Sequence, residues 1–86
     1  MKKKDLEFLR DLTEAPSPSG YEVPAADILR KRLAPIADEV ETNVLGSVHA
    51  LLKGKADSPS VMVAGHIDEI GMMVNYISDD GFISFS

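Results

Sequence analysis

A chain of 86 residues with no cysteine has no disulfide framework and no thiol chemistry, and its formal net charge of −5 argues against nucleic acid as a partner. The 44% hydrophobic and 27% charged content marks a folded rather than a disordered sequence, although a domain this short buries only roughly 60% of its unfolded surface. No apolar run approaches the roughly 20 residues of a membrane span, and Asp5, Glu7, Arg10 and Asp11 break up the segment after the basic start Met1-Lys2-Lys3-Lys4, so neither an anchor nor a signal core is expected. A cytoplasmic protein is the expectation.

In chain order, Leu6, Leu9 and Leu12, with Phe8 beside them, form an apolar stripe on a helix expected over residues 3 to 14, which Pro16 and Pro18 end. Ser19 and Glu22 have capping-box spacing, and Val23, Ala26, Leu29 and Leu33 recur at helical intervals after them. Pro24 conflicts with a start at Ser19. Either the first turn is irregular, or the regular helix begins near Glu22. The basic clusters Lys2-Lys3-Lys4 and Arg30-Lys31-Arg32 read as solvated helix ends, the second complementing a C-terminal dipole.

Val40, Thr42 and Val44 alternate with Glu39, Glu41 and Asn43, a half-buried strand with one wet face. After the Leu45-Gly46 turn, Val48, Ala50 and Leu52 alternate with His49, Leu51 and Lys53, a second strand expected to pair with the first as a hairpin. His49 falls on the polar side and is expected to be structural or exposed. A turn-rich loop, Gly54 to Pro59, leads into Val61-Met62-Val63-Ala64-Gly65, whose composition suits a strand buried on both faces. Met72 to Ile77 and Phe82 to Phe85 then read as two more strands around an Asp79-Asp80-Gly81 turn, with the two methionines as core filler. The sequence stops inside that alternating pattern, so an unfinished sheet with an open edge, prone to self-association, is expected.

Chemistry concentrates after the apolar run, at Gly65-His66-Ile67-Asp68-Glu69-Ile70-Gly71. Strand side chains alternate, so His66 and Asp68 share a face if Ile67 stays extended. A neutral imidazole is a ligand for zinc or cobalt, and a carboxylate on its other nitrogen fixes tautomer and orientation. The plainer reading is a buried histidine satisfied by a backbone carbonyl, with Asp68 and Glu69 capping a turn. Spacing alone favours the plainer one, because a metal needs about three or four ligands and this segment has at most two.

The same stretch, Gly65 to Val74, resembles the His-x-Asp-Glu-Ile-Gly-x-Met-Val signature of peptidase family M forty-two, the metal-dependent aminopeptidases that include glutamyl, deblocking and tetrahedral members. Pro16-Ser17-Pro18-Ser19-Gly20-Tyr21-Glu22 is similar to the family's Pro-Ser-Gly-x-Glu loop. Asn43-Val44-Leu45-Gly46-Ser47 is similar to its Asp-x-Leu-Gly-Asn turn, with Asn43 in place of the Asp and Ser47 in place of the Asn.

This resemblance implies an α/β fold: the N-terminal part of a mixed-sheet, zinc-peptidase-like catalytic domain with flanking helices, incomplete in these 86 residues. Residues 1–74 would belong to the catalytic domain, and 75–86 would lead toward an inserted oligomerisation domain. It implies His66 as a metal ligand, Asp68 as the catalytic carboxylate that orients it, and Glu69 one layer further out. The remaining ligands and the general base are absent from the chain. Two divalent ions, zinc or cobalt, are implied for the complete enzyme, with peptides as substrates and a homo-oligomer, a dodecamer among its forms. The chain alone is expected to hold no metal stably and to be inactive. Two other readings stand beside this one: a non-catalytic fragment or interaction module, and an endoglucanase, a label some relatives carry. Asp68 and Glu69 are adjacent and point apart on a strand, so they do not make the carboxylate pair of a glycosidase.

Overall fold

In the computed structural model, which describes all 86 residues, the first apolar stripe forms helix α1 (Lys3–Glu14). Its last turn closes with the Ala15 amide donating to the Asp11 carbonyl, and Pro16, which has no amide proton, ends it. Phe8 and Leu12 are half-buried. Helix α2 (Val23–Leu33) packs against α1, and its last turn supplies the staple: the Arg32 guanidinium lies 2.5 Å from the Asp5 carboxylate and 5.0 Å over the Phe8 ring. Arg30 donates to Thr42 Oγ1 at 3.0 and 3.2 Å, tying α2 to the next strand. Two of the three cations of the Arg30-Lys31-Arg32 cluster, expected to be solvated, therefore link elements. The reason is their planar, multi-donor heads, which reach partners on neighbouring elements.

The start of α2 resolves the conflict posed by Pro24. The helix begins at Val23, with Pro24 in its first turn, and the Ser19 side chain is not its cap. Glu22 turns back to accept the Gly20 amide at 2.6 Å. The cap comes from further upstream: Ser17 Oγ accepts the Ala25 amide at 2.9 Å. Ser17, Ala25 and Ala26 are the only fully buried residues in the chain, so this amide has no access to water as a substitute partner. Ser17→Ala is expected to destabilise α2 by about 1–2 kcal/mol, read as earlier loss of helical circular dichroism on heating and faster exchange of the Ala25 amide.

Strands β1 (Glu39–Thr42) and β2 (Val48–Leu51) form the expected antiparallel hairpin, pairing Glu39 with Leu51 and Thr42 with Val48. Asn43 Oδ1 accepts the amides of Leu45 and Ser47 at 3.0 Å each, and Gly46 takes a φ of +92°, which a residue with a Cβ avoids. Asn43 thus performs the side-chain acceptance that an Asp would perform there. A second antiparallel ladder joins β3 (Val74–Ile77) to β4 (Ile83–Phe85), with an irregularity between Val74 and Tyr76. Two helices and two small antiparallel sheets make the chain α/β.

Between the hairpins lies the main departure from expectation. Val61, Met62 and Val63 are 87%, 83% and 93% exposed and pair with nothing, where a strand buried on both faces was expected. Met72 and Met73 are likewise exposed rather than core. The apolar composition is that of a covered strand, but none of these 86 residues supplies the cover. The chain is accordingly drawn out, 65 × 31 × 17 Å, with a radius of gyration of 17.7 Å against roughly 12 Å for a packed domain of this length.

Candidate functional site

Past the exposed apolar segment the two polar side chains on either side of Ile67 meet. His66 Nδ1 lies 2.9 Å from Asp68 Oδ1. The imidazole is 87% exposed and touches no backbone carbonyl, so it is not the buried, carbonyl-satisfied histidine of the plainer sequence reading. Its other nitrogen, Nε2, makes no hydrogen bond. An ionised carboxylate only accepts, so the shared proton sits on Nδ1 and Nε2 presents a lone pair to the open side.

The second oxygen of Asp68 is also occupied. Oδ2 accepts the Ser19 hydroxyl, across 49 positions of sequence. The Ser19 hydrogen bond, and after it the one from His66, hold the Asp68 carboxyl below the usual aspartate range. A depressed value fixes the direction of the pH effect. Whatever structure depends on this carboxylate is fully present above the unfolded aspartate value, roughly 3.9, and is lost as the pH falls through the lower folded value. A carbon-detected titration of Asp68 is expected to have its midpoint below the ordinary aspartate value of roughly 3.9.

Ser19 reaches Asp68 because the loop before α2 is clasped to the segment after His66. The Ser19 amide donates to the Glu69 carbonyl at 3.2 Å and the Glu69 amide to the Ser17 carbonyl at 3.0 Å, a short parallel bridge centred on Pro18 and Glu69. Glu69 adds its carboxylate, whose Oε1 accepts the Ser17 amide at 3.2 Å. Its side chain therefore serves the clasp and hydrogen-bonds to neither His66 nor Asp68. Gly71 completes the fit: a Cβ there would lie 2.5 Å from the Pro18 Cβ.

An open groove lined by Leu29, Leu33, Ala50, Val63, His66 and Asp68 separates β2 from the extended segment. His49 is exposed on β2, as its polar side of the hairpin foretold, and its imidazole makes no hydrogen bond. No group of three or more His, Cys, Asp or Glu side chains converges to enclose a cation. Sequence reasoning missed Ser17 and Ser19 as partners of this segment. The one available signal was the Pro16-Ser17-Pro18-Ser19-Gly20 loop itself, two hydroxyls that each follow a proline restricting the backbone.

Comparison with known proteins converges on one group. The model of the M42 glutamyl aminopeptidase family matches residues 46–86, which include the His66 to Gly71 stretch. The chain is 45% identical over 80 residues to lysyl aminopeptidase of Pyrococcus furiosus, covering 92% of this chain and 22% of that protein. Against glutamyl aminopeptidase of Lactococcus lactis it is 36% identical over 74 residues, covering 85% of this chain and 21% of that one. A crystal structure of a TET aminopeptidase from a marine sediment archaeon of the Thaumarchaeota superposes on 98% of this chain and 23% of its own, with a TM-score of 0.88 at 40% identity. The chain thus spans under a quarter of the length of these relatives. Signature, fold and similarity agree on one family: the chain is similar to the M42 aminopeptidases, whose model it matches over residues 46–86.

Proposed function

We propose that this chain contributes a metal-binding histidine and its orienting carboxylate to a metal-dependent aminopeptidase that removes N-terminal residues from peptides. The observation that carries the proposal is the pairing of His66 Nδ1 with Asp68 Oδ1, which leaves Nε2 exposed and unbonded. The donor chemistry fits a divalent cation: a neutral imidazole lone pair, raised in basicity by a carboxylate behind it. An imidazole donor suits zinc and neighbouring divalent transition ions, and zinc or cobalt is the ion proposed here. Such an ion, when bound, polarises a peptide carbonyl and makes a water nucleophilic at neutral pH.

The chain's own residues have simpler tasks. His66 holds the ion through Nε2, Asp68 keeps the ring in one tautomer and one plane, and Glu69 anchors the segment to the loop before α2. In this reading a pair of ions works in the complete protein, and the other ligands and the general base come from elsewhere in it. Residues 1–74 form part of the catalytic domain, and the strand beyond leads toward an inserted domain through which copies of the chain assemble. A cytoplasmic location accompanies this reading.

An amino-acid anilide assay separates the alternatives. The complete protein, supplied with zinc or cobalt, is expected to release the anilide, and the 86-residue chain alone is expected to be inert. Hydrolysis of a soluble cellulose without anilide release would instead favour the endoglucanase reading. Turnover by the 86-residue chain itself would overturn the partial donor set.

A further inference from the structure

An exposed carboxylate does not hold one orientation by itself, because the terminal torsion of an aspartate is broad and roughly two-fold. Asp68 nevertheless presents Oδ1 to His66, and it is gripped from the far side by the Ser19 hydroxyl on Oδ2. An ionised carboxylate has no proton to give, which makes Ser19 the donor. The hydroxyl is in turn fixed in space: the Ser19 amide donates to the Glu69 carbonyl, the Tyr21 amide closes a turn on the Pro18 carbonyl at 2.9 Å, and Glu22 accepts the Gly20 amide.

We propose that Ser19 is a positioning residue that, through Asp68, sets which nitrogen of the His66 ring carries the proton and so keeps the Nε2 lone pair bare. The chain of donors runs in one direction. Ser19 Oγ–H points to Oδ2, the carboxylate plane is fixed, and Oδ1 takes the proton of Nδ1. An exposed histidine without such a partner favours the opposite tautomer in water, with the proton on Nε2 and the lone pair on Nδ1. In that form the nitrogen facing outward is a donor and cannot ligate a cation. The consequence for metal binding rests on the aminopeptidase reading above; the tautomer assignment does not.

The test uses a matched pair of substitutions in the 86-residue chain, Ser19→Thr, which keeps a hydroxyl, and Ser19→Val, which has nearly the same shape as the threonine without one. Long-range proton–nitrogen NMR correlations of the His66 ring, recorded at a pH where it is neutral, report which nitrogen bears the proton. The wild type and Ser19→Thr are expected to show a protonated Nδ1 and a bare Nε2. Ser19→Val is expected to raise the Nε2–H fraction several-fold, while the Glu69 amide keeps its exchange protection. Identical tautomer ratios in the two variants, or a wild-type ring protonated on Nε2, would overturn the proposal. In the complete protein, Ser19→Val is also expected to weaken zinc binding about 10-fold against a competing chelator, at the lower end of what loss of a supporting partner costs. A shifted tautomer with unchanged zinc affinity would uphold the role of Ser19 and count against His66 as a ligand.

Discussion

His66→Ala in the complete protein is expected to remove bound metal and to lower kcat/KM by at least about 100-fold, since losing even a partner behind a ligand costs roughly 10–100-fold. Folding should be spared. The ring is 87% exposed and its only bond is to Asp68, so its removal opens no cavity and strands no buried group. The free Asp68 keeps the Ser19 hydroxyl and can be solvated on its vacated side. His49→Ala is the matched control, because His49 is equally a histidine on an exposed surface but its imidazole has no hydrogen-bonded partner. Metal content by atomic absorption, set beside circular dichroism, distinguishes the outcomes. A His66→Ala protein that retains its full metal complement would take His66 out of the site, whatever happened to activity. Asp68→Ala should fall between the two histidine variants, because it removes the support and leaves the lone pair in place.

Local patterns were legible because they are written in neighbouring residues. Helix α1 runs over residues 3 to 14 as its leucine spacing and Pro16 require, and both hairpins turn where Gly46 and Gly81 stand. The juxtaposition of His66 and Asp68 is the one their two-residue spacing suggested, although the segment that carries them pairs with no strand. What sequence reasoning did not reach is of two kinds. Ser19 to Asp68 and Ser17 to Glu69 are contacts across about fifty residues, and no periodicity encodes them. Ser19 looked like a helix cap because capping boxes and this clasp use the same residue type. The second kind concerns Val61 to Val63, whose apolar character was read as burial. Hydrophobicity reports what a segment needs, and a strand needs neighbours on both edges and both faces. Those neighbours are not among these residues, so the same composition that foretold burial appears as exposed apolar surface.

Gly71→Ala is expected to break the clasp that joins the loop before α2 to the site. The added Cβ would sit 2.5 Å from the Pro18 Cβ, well inside van der Waals contact, and 3.5 Å from its Cγ. Proline cannot swing aside as a flexible side chain would, since its ring is closed onto the backbone. One strand of the bridge must therefore move. Overpacking of this sort costs about 1–3 kcal/mol, and the movement puts the Ser17 and Ser19 bonds to Glu69 at risk, each worth about 0.5–1.5 kcal/mol. Because the Ser19 hydroxyl travels with that loop, Asp68 loses its grip on the far side and the orientation of His66 relaxes. The variant should thus couple a stability loss to faster exchange at the Glu69 amide and to a change in the His66 ring signals. Gly65→Ala tests the logic from the other side. It lies one residue before His66, yet a Cβ there meets no atom within 4 Å, so all three observables should stay near wild type. If the two alanine variants behave alike, the loop is not seated on the site as the Pro18 to Gly71 contact demands.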